Sequence, residues 1–314
     1  MTAGGGPARA ELTVAGTRLC LDGIPFRFRG LSFFNALFNP SFNRDDLGRR
    51  AWLSTFRRNG VTALRTWCQW DFQAPHVFAD VGPEQSLFKP SGELAHRFAD
   101  RLVALAGSAA ELGMVLEVTL FSQERWPRLD RSALARGAVN VVRLLVPHRN
   151  VLLQIWNEHA EETEGLYNLI KDADAQRLVT SCPGFSDDLG SERHNQLLDV
   201  LTPHTVRQPP ARFWVDAPRQ IGELRASFHK PVIDDEPARC GLTRFGGIVG
   251  GTAPAQHIAH MRATEAAGGY YTYHHDMFQG GYGDPATPPD GIPGPDFSPF
   301  HRAVLDAFAD DDGQ

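Results

Sequence analysis

Two glutamates carry the chemistry most plainly. Glu158 closes the run LLQIWNE and Glu236 closes PVIDDE, so each directly follows a stretch apolar enough to be a buried strand. Two carboxyl groups facing one cleft can split an acetal: one attacks or activates water while the other protonates the departing oxygen. Such a pair also tunes itself, because neighbouring carboxyls resist double ionisation and one keeps its proton near neutral pH. Asp235 rivals Glu236, since a slip of one residue turns it inward instead.

Other polar and aromatic residues sit at the ends of other apolar runs. Asn35 ends RGLSFFN; Arg65, Trp67 and Trp70 lie in LRTWCQW; Trp126 ends FSQERW; Asn157 precedes Glu158; His204 lies in LTPHT; Tyr273, His274 and His275 lie in YYTYHHD. Adjacent histidines on an extended chain point opposite ways, so one of His274 and His275 faces the cleft, and His275 is taken with Tyr273 as substrate-binding. The tryptophans suit either a core or a flat platform for sugar rings. Glu117 falls in mid-strand, an odd place for an acid, and is expected as a polar group in a barrel interior.

The elements that must position these residues alternate regularly. Three short strand-like runs open the chain, over 12–14, 18–21 and 25–28, separated by the turn pairs Ala15-Gly16 and Asp22-Gly23. From RGLSFFN onward the pattern predicts strands there and over 61–66, 114–120, 151–156, 178–181, 200–202, 231–235 and 269–273, each followed by a helix. The clearest helix carries Leu94, Phe98, Leu102, Leu105, Ala109 and Leu112 on one stripe, with Ser91 as its expected cap and Gly113 as its stop. Alternating units of this kind predict a parallel sheet covered by helices. Eight of them give an α/β chain of the (β/α)8 TIM-barrel class, with the short N-terminal β-hairpin segment closing the bottom. A doubly wound open sheet is the alternative; it lacks a glycine-rich phosphate turn after the first strand. The organisation expected is a flexible arm over 1–11, a single catalytic domain over 12–308 and an acidic tail over 309–314.

Composition narrows the function classes. The 314 residues are 42% hydrophobic and 22% charged, ordinary for a globular protein. A net charge of −6 argues against a nucleic-acid partner. Cys20, Cys68, Cys182 and Cys240 are scattered without a CxxC pair, so reduced thiols are expected rather than a disulfide framework. No apolar run is long enough to span a bilayer, and MTAGGGPARAEL lacks the basic start and apolar stretch of a signal peptide. A cytoplasmic protein without a membrane partner is the expectation.

Asn-Glu after the fourth strand, a second Glu after the seventh and an Arg at the end of the second resemble the clan A retaining glycoside hydrolases. The opening LCLDGIPFRFRGLSFFN, the segment GVTALRTW and the segment KPVIDDEP resemble the first, second and seventh strands of glycoside hydrolase family 5 and related families. The resemblance runs from about Leu12 to Phe308, nearly the whole barrel. It implies a retaining β-glycosidase with a carbohydrate substrate and no cofactor. Glu158 is then the general acid/base and Glu236 the nucleophile. Asn157 holds the sugar 2-hydroxyl, Arg65 keeps Glu236 ionised, and His204 sits near the family's strand-six position. Trp67, Trp70 and Trp126 serve as sugar platforms. The chain also departs from the pattern. PHTVRQ lacks the Tyr that often touches the nucleophile, YYTYHHDMFQ lacks the Trp that often ends strand eight, and strand seven carries two extra Asp. Long loops after strands two, seven and eight, with Phe88, Gly280-Gly281 and the Pro/Gly-rich run 285–295, are expected to wall a pocket, which suits exo action on β-linked glycosides or a short oligosaccharide. Two other readings stay open. Glu158, His159, Asp234, Glu236, His274 and Asp276 are ligand types for a metal-dependent barrel hydrolase or isomerase, though no HxH follows strand one and no HExxH occurs. A non-catalytic sugar-binding barrel has no need of a facing acid pair.

Overall fold

The computed structural model describes residues 10–69, 85–122, 128–185, 187–207, 212–237, 253–275, 292–294 and 299–309. The chain opens with three short antiparallel strands, β1 (Leu12–Ala15), β2 (Arg18–Leu21) and β3 (Ile24–Pro25), paired in that order. Seven strands then form one parallel sheet: β4 (Arg29–Ser32), β5 (Ala63–Trp67), β6 (Val115–Ser122), β7 (Val151–Asn157), β8 (Leu178–Thr180), β9 (Ile233–Asp234) and β10 (Tyr270–Tyr273). Their order is β8-β7-β6-β5-β4-β10-β9, which leaves β8 and β9 at the edges. The segment predicted as strand six joins those edges. Val200 N–H donates to Val179 O at 3.4 Å, Leu201 pairs in parallel with Val232, and Ile233 N–H donates to Leu201 O at 2.8 Å. Closed through 199–202, the sheet is the α/β barrel that the spacing predicts.

Among the described residues, a helix follows each strand of the ring: α1 (Asp46–Arg58), α2 (His96–Glu111), α3 (Arg131–Leu145), α4 (Thr163–Ala173), α5 (Glu192–Leu197), α6 (Phe213–Phe228), α7 (Pro254–Ala266) and α8 (Pro299–Ala309). Asp45, Asp130 and Ser191 cap α1, α3 and α5 by accepting from the N–H of Gly48, Ala133 and His194. The cap of α2 differs from expectation. Ser91 does not start it; its hydroxyl accepts from Glu93 N–H within a turn where Phe88 pairs with Leu94. Gly92 takes a left-handed φ of +80°, outside helical geometry, and packs on the Ala133 backbone, and α2 begins four residues later at His96. The same turn buries Phe88 against Phe121, so Phe88 belongs to the core and not to a cleft wall. No helix among the described residues is long and apolar enough to cross a membrane. Cys20, Cys68 and Cys182 are free thiols and buried; Cys240 lies outside the described residues.

The barrel is apolar at one end and polar at the other. Leu12, Leu19 and Phe28 cluster with Ala63, Val115, Leu152, Val200 and Ile233, residues at the starts of the barrel strands. Leu12 N–H donates to Arg149 O and Leu19 N–H to the Tyr270 hydroxyl, which ties the opening strands to that end. Further along, the inward residues become Arg65, Glu117, Gln154 and Asp235, all fully buried. Gly30 lets β10 close against β4: a Cβ there would lie 2.3 Å from Thr272 Oγ1. Gly30→Ala is therefore expected to lower the unfolding free energy by about 2 kcal/mol through overpacking at the seam. An unchanged urea midpoint would show that β4 and β10 have more room than this.

Candidate active site

Arg65 organises the polar end. It stands on β5 in register with Glu117 of β6. Its Nη1 donates to Glu236 Oε1 at 3.0 Å and to the Asp235 carbonyl at 3.2 Å. Its Nη2 donates to Gln154 Oε1 and Asn157 Oδ1, both at 2.7 Å, and lies 3.2 Å from Asp235 Oδ2. Gln154, on β7, turns its Nε2 toward Asp235 Oδ2 at 2.6 Å and Glu117 Oε1 at 3.3 Å. Arg65 and Gln154 thus tie β5, β6, β7 and the end of β9 into one network below the barrel mouth.

Above it lie the two glutamates. Glu158 follows β7 directly and adopts a left-handed backbone, φ +58°, unusual for a residue with a side chain. Glu236 follows β9 by two residues and is 2% exposed. His204 stands between them, Nε2 3.4 Å from Glu236 Oε2 and Nδ1 3.6 Å from Glu158 Oε1. One oxygen of each glutamate and a ring nitrogen of His204 lie within 4.8 Å of one another. Arg207, three residues beyond His204, joins the same pair: Nη1 donates to Glu236 Oε2 and Nη2 to Glu158 Oε1, both at 2.8 Å.

The charges follow from this packing. Burial would raise the Glu236 carboxyl, but His204, His274, Arg65 and Arg207 together hold it well below its ordinary value. Burial disfavours the charge on both guanidiniums, and the surrounding carboxylates outweigh it: Asp235, Glu236 and Glu117 for Arg65, Glu236 and Glu158 for Arg207. Asp235 is pushed well up by burial, with Arg65 opposing and Glu117 and Glu236 adding to the rise. Glu117 is lifted to about 7, also by burial against the pull of Arg65. The surroundings thus favour the protonated form in the lower layer, at Glu117 and Asp235, and the ionised form at Glu236 above it.

Glu158, Glu236, Asn157, Arg65 and His204 converge as the sequence predicts. Asp235 also turns inward, but deeper, onto Arg65 and Gln154. Asn35 is buried at 4% exposure, and its Oδ1 finds no hydrogen-bond donor among the described residues. Trp67 is 2% exposed, stacked on Phe34 at 4.4 Å with the Arg65 guanidinium 4.4 Å from its ring centre, so its ring packs the site from below. Trp70 and Trp126 lie outside the described residues, as does most of the expected loop wall.

Strand eight requires a correction. Tyr273 bonds His301 Nδ1 of α8 at 2.6 Å, and His275 packs on His257, Phe300 and His301 of α7 and α8. Both point away from the barrel interior. The alternation along β10 sends Thr272 and His274 inward instead; His274 Nδ1 meets Ser32 Oγ at 2.9 Å, and its charge acts on Glu236. Arg207 escaped the sequence reading altogether. It lies in PHTVRQ, noticed only for its missing Tyr, and a lone Arg past a short strand matches no motif.

Of the ligand types considered for a metal, Glu158 and Glu236 come together, but the set as a whole does not assemble. Asp234 turns outward to His260 at 2.8 Å, His159 lies 3.6 Å from Glu161, and Asp276 lies outside the described residues. The one group of metal-ligand types found among the described residues is Glu158, His204 and Glu236. Arg207 occupies an oxygen of each of these glutamates, and two buried guanidiniums repel a cation there.

No family model and no curated protein sequence matches the chain. Solved structures do match. A glycoside hydrolase family 5 mannosidase from Rhizomucor miehei is 14% identical with a TM-score of 0.64, over 97% of this chain and 98% of that one. The β-1,4-D-mannanase of Cryptopygus antarcticus is 14% identical with a TM-score of 0.61, over 96% and 94%. A structure described as a glycoside hydrolase is 15% identical with a TM-score of 0.65, over 94% and 74%. The chain has the fold of the glycoside hydrolase family 5 enzymes. At this identity the likeness is one of fold. Within that family 5 fold, Glu158 and Glu236 follow the fourth and seventh strands of the ring and meet at its carboxyl-terminal face.

The proton on Glu117 has a consequence for stability. Its carboxyl is raised from 4.5 to about 7, so the folded chain binds a proton over a range where the unfolded chain has released it. The stability it contributes is complete below the lower value and is lost as pH rises through the higher one. Glu236, depressed, acts with the opposite sign and loses its contribution on acidification. Glu117→Gln keeps the neutral shape and is expected to flatten the fall in Tm between about pH 5 and pH 8. Equal slopes in parent and variant would place the proton elsewhere.

Proposed function

We propose that the protein is a retaining β-glycosidase that works by double displacement. The observation that carries this reading is the approach of the Glu158 and Glu236 carboxylates to within 4.8 Å. Retaining enzymes hold their carboxyl groups about 5–5.5 Å apart, whereas inverting ones leave room for a water at about 6.5–9.5 Å. Glu236 attacks the anomeric carbon and the glycosidic bond breaks. The departing oxygen receives its proton from Glu158 or, where it leaves as a stable anion, from water. A water oxygen then attacks the same carbon, Glu158 takes its proton, and Glu236 is released.

The surrounding residues support these roles. Arg65 and Arg207 favour the ionised nucleophile. Asn157 has its Oδ1 fixed by Arg65, so the amide presents its N–H groups as donors, suited to a sugar 2-hydroxyl. Substrates are β-linked glycosides, handled without a cofactor. The domain reading stays the same, a single catalytic unit over 12–308.

The test is a panel of dinitrophenyl β-glycosides of several sugars. Glu236→Gln is expected to lose more than about a thousandfold in kcat/KM. Glu158→Ala should still release dinitrophenol in a first burst but accumulate the glycosyl-enzyme, with azide restoring turnover. NMR of the first product should show the β-anomer. An α-anomer as first product would replace double displacement by inversion.

A further inference from the structure

Arg207 places a fixed positive charge against one oxygen of Glu158. A guanidinium at 2.8 Å forms a charge-assisted bond with a carboxylate and has only donors to offer a carboxylic acid. Arg207 is 2% exposed, lies 5.1 Å from the ring of Phe185 and is braced on Glu236 by its other nitrogen, so it is fixed in place. Other described groups also face Glu158. His204 Nδ1 is 3.6 Å away, one Glu236 oxygen lies within 4.8 Å, and the Cys182 thiol, kept neutral by burial, rests on the Glu158 backbone. Glu236 alone would favour a proton on Glu158, but Arg207 spans both carboxylates and removes that repulsion. The arrangement suits a general base and opposes a general acid.

Resting on the two-glutamate reading, we propose that Arg207 is a positioning residue that holds Glu158 as a carboxylate and so restricts the substrates to β-glycosides with acidic leaving groups: aryl, enol or acyl glycosides rather than alkyl ones. In the first step the Glu236 oxygen bonds to the anomeric carbon while the bonding pair departs with a stable phenolate, enolate or carboxylate. In the second, Glu158 takes the proton of the attacking water, and that proton passes on to the departed anion. The sum is hydrolysis, with no further reactant.

The experiment compares dinitrophenyl, nitrophenyl, phenyl and methyl β-glycosides of one sugar, with kcat/KM followed across pH. The parent is expected to cleave the methyl glycoside at least about a thousandfold more slowly than the dinitrophenyl one, without an alkaline limb from an acid on Glu158. Arg207→Met should narrow that gap by on the order of a hundredfold and bring in an alkaline limb. Arg207→Lys, which keeps the charge but has one nitrogen to share between the carboxylates, should fall between the parent and Arg207→Met. A parent gap within about tenfold overturns the inference without any variant. So does an Arg207→Met protein that slows all substrates equally with an unmoved pH profile. Labelling of Glu236 by dinitrophenyl fluoroglycosides separates the two readings. Labelling with a flat leaving-group series overturns only the role of Arg207. Neither labelling nor turnover with any sugar of the panel overturns the glycosidase reading and this inference with it.

Discussion

A fully buried guanidinium is the constraint on which the polar half of the barrel depends. Taking a charge out of water costs several kcal/mol unless it is paired and hydrogen-bonded. Arg65 meets that demand with acceptors from Gln154, Asn157, Asp235 and Glu236, gathered from β7 and from the residues that follow β9. None of these residues is adjacent to Arg65 in the chain, and only closure of the ring brings them together. The same closure needs the bare backbone of Gly30 at the seam and the bridging segment 199–202. The charge at the centre and the geometry of the barrel are therefore one problem with one solution.

That solution separates the carboxyl groups by depth. Asp235 and Glu117, enclosed among Arg65 and Gln154, are pushed up by burial and keep a proton. Glu236, one residue further along, receives Arg65 from below and Arg207 and His204 from the side, and stays ionised. A carboxylate offered to an electrophilic carbon must be ionised and fixed, and the two guanidiniums supply both conditions. Two neighbouring acids on one strand end thus take opposite states because their surroundings differ, not because their types do.

The strands, their order and the two glutamates were legible in the sequence because they depend on local signals. An apolar run that ends in a carboxylate reads the same before and after folding. The face of a residue near a strand end was less legible. Tyr273 and His275 are as polar and aromatic as His274, and only the register of β10 sends His274 inward. The start of α2 was misjudged because the tight packing of Gly92 on Ala133 is a tertiary event that a capping rule does not see. Arg207 was invisible for the same reason. Its partners Glu158 and Glu236 are 49 and 29 residues away, and nothing in PHTVRQ marks the arginine.

Energetic cost weighs among the readings that the fold leaves open, since an α/β barrel is a scaffold for many sites. Two carboxylates within 4.8 Å repel each other, and Glu158 is held in a left-handed backbone that costs about 1–2 kcal/mol for a residue with a side chain. Offsetting this requires Arg207 to be buried as well, with its own desolvation. A protein that only binds sugar gains nothing from such an arrangement, because hydroxyls are recognised at lower cost by neutral amides and aromatic faces. A metal site would use the carboxylates but not the guanidiniums, whose charge opposes the ion. Acid–base and nucleophilic chemistry uses all of them: one carboxylate to attack, one to manage the proton, and two fixed cations to set their states. The strain and the buried charge are accounted for when they act on a transition state, which is where preorganised charge has its largest effect.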